Sequence, residues 1–482
     1  MEHQSIDKPL KIDNRPLWLI VIDRTTRYQV LAGLIVIIVI LFQFSPPDGL
    51  SVQGYRSLVL FVAAIFLWIS GMLPLAVTSL LAMALLPLFG ILERKQTFAL
   101  FGNEAVFFIL GAFILGAAMT GTGLSTRLAR GMLVRFGTTP ERLAITVFLL
   151  SAILSFAMSE HVVAAIMFSV VAEIVRSLDL HPERSRYGKL LFMSISWGCV
   201  IGGIATFLGG ARAPLAVGML RENAGIEFSF FEWTLAALPL VLPLLFAGYL
   251  LLRWFFPKDV EDIDSGLQFL TRMRLEIGRI TWNEKITAIV MILTIGAWIF
   301  LGKQLGLATI AILAVSALFA FRVVSWQAIE EYVNWGVILM YGGAIALASA
   351  LEKNGTAEWL AQKGLAGFAG SPFLLIAAIS LFSILLTECI SNAAVIAILM
   401  PVGLSISKSM GMDPKIMTLA ITLPAGLAYC LPMGTPANAI VYSSGFLKSR
   451  EMIFPGAVIM AVSWLLFLAS ALFVWPLIGL KI

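Results

Sequence analysis

Apolar runs of about twenty residues, the length that crosses a bilayer as a helix, recur from Tyr28 almost to the C-terminus, with short polar breaks between them. A first series falls near 28–45, 55–74, 75–92, 104–121, 140–158, 161–177, 188–208 and 232–256. A second falls near 284–302, 305–321, 334–351, 372–390, 393–408, 414–432 and 452–478. Several are too short, or too interrupted by Gly and Pro, to cross straight, so the pattern predicts about eleven true spans in an all-α polytopic membrane protein. One long polar stretch separates the two series, mixing Asp259, Glu261, Asp262 and Asp264 with Arg272, Arg274 and Arg279. It is too short for a folded domain and reads as a connecting loop carrying a surface amphipathic helix. The chain thus divides into an N-terminal segment 1–27, scaffold helices with a first repeat over 28–257, a polar loop 258–283, and a second repeat over 284–482.

Composition turns this pattern into a statement about the solvent. Sixty per cent of the residues are apolar and 13% charged, against the ~25% charge of soluble chains; the excess apolar surface must face lipid. Thirty-three Lys and Arg against 28 Asp and Glu give a net charge of +5, too slight a bias, with no basic run among exposed aromatics, for a nucleic-acid partner. Lys8, Lys11, Arg15, Arg24 and Arg27 crowd the segment before the first apolar run, which places the N-terminus in the cytoplasm by the positive-inside rule. No small-residue cleavage motif follows that run, so it reads as a span and not a signal peptide. An inner or plasma membrane is the expected location.

Catalytic signals are weak. Cys199, Cys389 and Cys430 lie singly in apolar stretches, as small buried side chains with no disulfide or thiolate metal site between them. His3, His161 and His181 are the only histidines, too few for a histidine-rich metal centre. HExxH and nucleophile-elbow motifs are absent. Glu160 and His161 are adjacent, and neighbours on a helix point about 100° apart, a poor acid/base pair. Neither an enzyme nor a resident cofactor is expected.

The halves resemble each other. Sliding the second onto the first aligns Asn103, Val106, Gly111 and Ala117 with Asn334, Val337, Gly342 and Ala348, and Ser159 with Ser391. The order of elements repeats too: an apolar helix, a polar break, an apolar helix, then a Gly/Pro break. Paired interruptions at corresponding places are the mark of a repeat-built transporter. The first polar break is Ser155 to His161; its counterpart is Thr387 to Ala393. Non-helical backbone at membrane depth survives only when buried in protein or lining a wet cavity. A broken helix offers freed carbonyls and side-chain oxygens to a cation, and the following half-helix offers N–H groups to an anion. Ser and Thr that merely bond back to the preceding turn are the bland alternative. The Gly/Pro breaks, Ile201 to Pro214 and Leu431 to Asn438, read as second walls, because Gly permits close backbone approach and Pro frees carbonyls.

These motifs resemble the divalent-anion:sodium symporter family, the carriers of di- and tricarboxylates and sulfate. That family carries a Ser-Asn-Thr signature in each repeat, the second following a Thr-Glu pair, as Thr387-Glu388 precedes Ser391-Asn392-Ala393 here. Its late motif matches Leu431 to Ile440, and its earlier Gly-rich motif matches Ile201 to Gly209. The resemblance runs from about residue 55 to the end. It implies inverted repeats with re-entrant hairpins, an elevator-type transport domain, a homodimer, and a small-anion substrate carried with Na+ as coupling ion. A first sodium site would draw on Ser155, Ser159, Glu160 and the backbone near Gly209. A second would draw on Thr387, the Ile390 carbonyl, Asn392 and the backbone near Gly434. The anion would lie between the signatures, against Ser159, Glu160, His161, Arg212, Ser391, Asn392, Ala393, Thr435 and Pro436.

The departures are chemical. The first signature reads Ser159-Glu160-His161 and the second ends in Ala393; Arg212 stands where the family has a small residue or Pro. A lone charge at mid-membrane costs about 2.5–3.5 kcal/mol on insertion scales, so Arg212 and Glu160 are expected to pair, either to replace the first sodium or simply to lock the break. His161 either donates to a substrate carboxylate or couples transport to protons. A sulfate or oxyanion carrier, an exchanger, a channel or sensor on the same fold, and a sodium/proton antiporter with Glu160 titrating are the other readings these residues leave open.

Overall fold

The computed structural model describes residues 17–480 apart from 183, 261–262, 277 and 366–370; Lys8, Lys11, Arg15, Glu261 and Asp262 lie outside them. Among the described residues every regular element is a helix. Eight are long and apolar enough to cross a membrane, and four shorter apolar helices accompany them. The first helix, Leu17–Leu41, starts well before the apolar run at Tyr28. No Gly or Pro interrupts residues 17–32, so from Leu17 the helix continues through the polar stretch into the apolar run. Two expected spans end early for the opposite reason. Arg186–Gly203 stops at its Gly pair and Pro414–Thr422 stops before Pro424.

The repeat is visible element by element. Glu104–Gly121, Leu124–Phe136, Pro140–Ala157, Glu160–Ser177 and Arg186–Gly203 recur in order as Trp335–Lys353, Thr356–Leu365, Pro372–Leu386, Asn392–Ser409 and Pro414–Thr422. After each second break come Arg212–Ala224 with Phe230–Phe255, and Pro436–Tyr442 with Ser449–Ala469.

Helices from both halves mix in two assemblies. One holds the broken helices: Pro140–Ala157 lies along Arg186–Gly203, Arg212–Ala224 packs on Asn392–Ser409, and Pro436–Tyr442 on Glu160–Ser177. The other holds Val52–Ser70, Leu75–Leu88, Glu104–Gly121, Trp282–Phe300, Leu307–Ala320 and Trp335–Lys353. Because lipid is as apolar as leucine, membrane helices associate by packing, which small residues tighten. A methyl group on Gly202 would sit 2.6 Å from Ala152 Cα, and one on Gly343 2.6 Å from the Ser79 carbonyl carbon. Aromatic rings fasten one assembly to the other: Phe108 of the second meets Phe207 of the first and Trp298 of the second meets Phe230 of the first, with centroids 6.0 and 5.6 Å apart.

Polar contacts gather at two ends. At one, Lys258 pairs with Glu141 and Lys189 with Glu451 (2.5 Å), while Asp259 accepts from the amides of Arg186 (2.6 Å) and Tyr187 (2.8 Å). There too Arg127 binds Glu284 (2.7 Å) and the carbonyls of Gly278 and Arg279, and the connecting segment forms a helix, Asp264–Glu276, on Leu124–Phe136 and Glu160–Ser177. At the other end Arg221 pairs with Glu104, and Lys303 and Lys415 hold Glu232. Phe230–Phe255, at 26 residues and 1.5 Å per residue, carries Glu232 at one end and leads to Lys258 at the other, about 39 Å away.

The close helix contact predicts a stability difference. Gly202→Val overpacks against backbone and should cost about 1–3 kcal/mol, seen as a lower melting temperature by fluorescence-detected size exclusion. Gly116→Ala, where an added methyl meets nothing within 4 Å, should be neutral or mildly stabilising; equal losses would contradict the packing described.

Candidate functional site

Both polar breaks are real interruptions. Pro140–Ala157 ends at Met158, which is fully extended (φ −153°, ψ 164°), and the next helix starts at Glu160. Ser159 stands at the N-cap, yet its hydroxyl does not cap; it bonds His161 Nδ1 at 2.6 Å. The Glu160 amide donates across the break to the Gly209 carbonyl (3.0 Å). In the second half the chain leaves helix at Thr387 and resumes at Asn392, where Ser391 does cap, accepting from the Ala394 amide (3.2 Å). The bland reading of Thr387 fails: its Oγ1 lies 2.7 Å from Asn392 Oδ1 and 2.8 Å from the Ala425 carbonyl, not on the preceding turn. Three oxygens therefore meet there, with the Thr387 hydroxyl donating to the other two.

Each Gly/Pro break is stitched by side-chain hydrogen bonds, from one residue in the first half and two in the second. Thr206 donates to the Phe156 carbonyl (2.7 Å) and accepts from the Leu208 amide (3.1 Å). Glu388 accepts from the amides of Tyr429, Cys430 and Leu431 at 2.7, 2.9 and 2.9 Å. Asn438 donates to the carbonyls of Ala428 (3.2 Å) and Leu431 (3.0 Å) and accepts from the Ser196 hydroxyl. Irregular backbone deep in the protein is thereby satisfied.

Between the breaks lies a buried ion pair. Arg212 Nη1 stands 3.2 Å from Glu160 Oε2, and the residues are only 2% and 5% exposed. The guanidinium is wedged between glycines of both halves. A Cβ on Gly203 would lie 3.0 Å from Nη2 and 2.7 Å from Glu160 Oε2, and one on Gly426 2.8 Å from Cζ. Nη2 itself is buried without a hydrogen-bond partner among the described residues.

A cavity of about 570 Å³ opens beside this pair. Ser159, Glu160, His161, Arg212, Ile390, Ser391, Asn392, Ala393, Gly434, Thr435 and Pro436 all line it, so the signatures of the two halves share one chamber. Ser155, Gly209 and Thr387 stand behind the wall. Ser155 is buried beside the Cys199 thiol, Gly209 is engaged by Glu160, and Thr387 is engaged by Asn392 and Ala425. Sequence reasoning missed Ala425, which no spacing rule connects to Thr387. It also missed the opposite wall of Trp68, Phe113 and Asn334, although the match of Asn334 to Asn103 marked that position. One expectation is corrected. Cys389 is not a buried apolar filler but is exposed, lining the cavity, because the chain between Thr387 and Ser391 has left the helix.

The cavity lies toward the Lys258 end of the bundle. Glu104–Gly121 runs from the Glu232 end toward Arg127, and Gly121 shares a surface cleft with Arg322, shortly before Asn334. Val52–Ser70 starts at the far end of Trp335–Lys353, where Thr356 donates to the Gly54 carbonyl (2.8 Å). Its other end, Gly71 to Leu75, reaches the level of Asn334 and lines the cavity with it.

Known proteins resemble this chain over nearly its full length. A sodium-dependent dicarboxylate transporter, SdcS, of Staphylococcus saprophyticus is 29% identical over 445 residues, covering 87% of this chain and 85% of that protein. Its namesake from Staphylococcus aureus is 29% identical over 477 residues, covering 93% and 91%. Among solved structures, the YdaH transporter of Alcanivorax borkumensis shares the fold with a TM-score of 0.55 at 16% identity, covering 88% of this chain and 99% of that one. MtrF of Neisseria gonorrhoeae does so with a TM-score of 0.55 at 15% identity, covering 81% and 85%. The family described as the sodium:sulfate symporter transmembrane region matches residues 25–481. With that match spanning a polytopic helical fold with paired helix breaks, the chain belongs to the sodium:sulfate symporter family, as a multi-pass protein of the cell membrane.

Proposed function

We propose that the protein is a secondary active carrier of small divalent anions, dicarboxylates foremost, coupled to sodium through one intact cation site. The observation that carries this reading is the shared chamber, where two helix breaks, one from each half, face each other across 570 Å³ with a buried arginine beside them. Relatives named as sodium-dependent dicarboxylate transporters point to the same substrate class. Thr387, Asn392 and the Ala425 carbonyl would hold sodium, with the Ile390 carbonyl and the backbone near Gly434, which line the chamber beside the same break, completing the set. At the first break the Arg212 guanidinium takes the cation's place, and Glu160 balances it. Its spare Nη2 donor, with His161, Ser391 and Thr435, would receive the carboxylates of the anion, a charge-assisted arrangement.

The assembly of broken helices would move as one body against the other in elevator fashion, within a homodimer built of inverted repeats. Arg127, Arg142, Arg186, Lys189 and Lys258 concentrate at the end toward which the cavity lies, a charge bias that supports a cytoplasmic position for that end; the chamber would then be inward-facing. A proton antiporter with Glu160 titrating is disfavoured by the guanidinium against that carboxylate. Exchange remains compatible, because a fixed positive charge stays in the site after the anion leaves.

In proteoliposomes, succinate should accumulate against its gradient when sodium is higher outside, with citrate and sulfate compared while sodium and pH are varied independently. Purely downhill flux would indicate a channel, and proton movement on adding sodium without any anion an antiporter. Arg212→Ala leaves Glu160 buried and unpaired and should cost about 3–5 kcal/mol of stability. The double variant Arg212→Ala with Glu160→Asn should recover most of this and gain one sodium per transported anion. An unchanged sodium stoichiometry in both variants would remove the substitution of arginine for cation. His161→Ala should raise the KM for succinate roughly 10- to 100-fold, the worth of a hydrogen bond to a charged group. If instead KM holds and only the pH profile of transport changes, His161 handles protons and not the substrate.

A further inference from the structure

A second cavity, of about 600 Å³, lies at the Glu232 end of the bundle, on the face opposite the anion chamber. Its walls come from both assemblies. Pro214 to Arg221 and Glu232 belong to the assembly of broken helices; Asn103, Glu104 and the segment Gly302 to Leu307 belong to the other. The two cavities occupy matching places in the repeat. Asn103 caps Glu104–Gly121 and lines this one, whereas its counterpart Asn334 caps Trp335–Lys353 and lines the anion chamber.

The charges across this cavity are joined in pairs. Arg221 is ion-paired with Glu104, which also accepts from the Ala308 amide (3.3 Å). Lys303 reaches Glu232 at 2.7 Å. Both pairs cross between the assemblies. Asn103 also reaches across, donating to Glu222 at 3.5 Å, whereas Arg221 to Glu227 (3.3 Å) and Lys415 to Glu232 (3.0 Å) stay within the assembly of broken helices and orient the crossing groups. Crossing pairs at one end, and an open chamber at the other, are what a two-state carrier needs to rest in one state. Bonds that exist in only one state bias the equilibrium by their full differential energy.

We infer that Arg221–Glu104 and Lys303–Glu232 form an outer gate, and that this second cavity is the closed counterpart of the anion chamber, opened when those two pairs break. The inference rests on the proposal that the two assemblies move against each other. Arg221 lies on the helix that begins at Arg212, so a displacement of the anion site along the membrane normal pulls it from Glu104. Glu232 heads the helix that follows and leaves Lys303 in the same movement.

The chain carries its own reporter. Cys389 is exposed in the anion chamber, while Cys199 and Cys430 are buried. In the parent, a membrane-impermeant maleimide should label Cys389 in inside-out vesicles far faster than in right-side-out ones, with Cys389→Ser as background and succinate protecting. Each exposed pair is worth a factor of up to about five. Glu104→Gln with Lys303→Gln should therefore shift the outside-to-inside labelling ratio outward by about 2- to 25-fold, and Glu104→Arg with Arg221→Glu, which restores an opposite-charge pair, should stay near the parent value. Raising ionic strength should shift the unmodified protein the same way, since salt screens exposed pairs; this arm needs no variant to fold. A ratio that stays fixed in the double variant, or in the parent across the salt series, overturns the gate. Loss of succinate protection in the parent would instead overturn the carrier reading itself.

Discussion

A guanidinium and a carboxylate buried together among membrane helices constrain everything around them. Arg212 and Glu160 are nearly sealed from solvent, and either one alone would be an uncompensated charge in a medium that solvates it poorly. Together they fix where the two helix breaks of the first half must sit, because Glu160 opens one half-helix and Arg212 opens the other. The pair also reaches beyond its own repeat, since the guanidinium lies against Gly426 of the second half. The site is thus one object built from both halves, not two similar sites side by side.

Holding irregular backbone at that depth requires a hydrogen-bond partner for every exposed amide and carbonyl. The two halves solve this differently. The first uses the Thr206 hydroxyl and the Gly209 carbonyl. The second uses a carboxylate, Glu388, on three consecutive amides, helped by Asn438. Glu388 is therefore a structural charge, whereas Glu160 spends its charge on the arginine. The same residue type does opposite work in the two halves because its partners are neutral amides in one case and a cation in the other.

Much of this was legible in the sequence because membrane helices and their interruptions are written in composition. Span positions, the duplicated order of elements, and the breaks at Ser159 and Ser391 follow from apolar run length and the residues that end helices. The pairing of Arg212 with Glu160 was legible from the energetic cost of leaving either alone. What was not legible depends on contacts between segments that no local pattern relates. Ala425 meets Thr387 only because the Pro424–Gly426 turn folds back on the second break. Trp68 and Phe113 carry no local signal that distinguishes them from other aromatics in apolar runs, and they become chamber wall only when the broken helices are placed against them. Cys389 looked like one more small apolar residue because the end of the helix at Thr387, and so the direction of its side chain, is set by tertiary packing.

The berth of the arginine has a historical corollary. Gly203 and Gly426, from opposite halves of the chain, leave the hollow that the guanidinium fills; a methyl at either would collide with it. Losing the arginine is accordingly never a single change: its counter-charge and the two absent side chains are fitted to it, and a chain that lost it alone would carry a stranded carboxylate beside an empty hole.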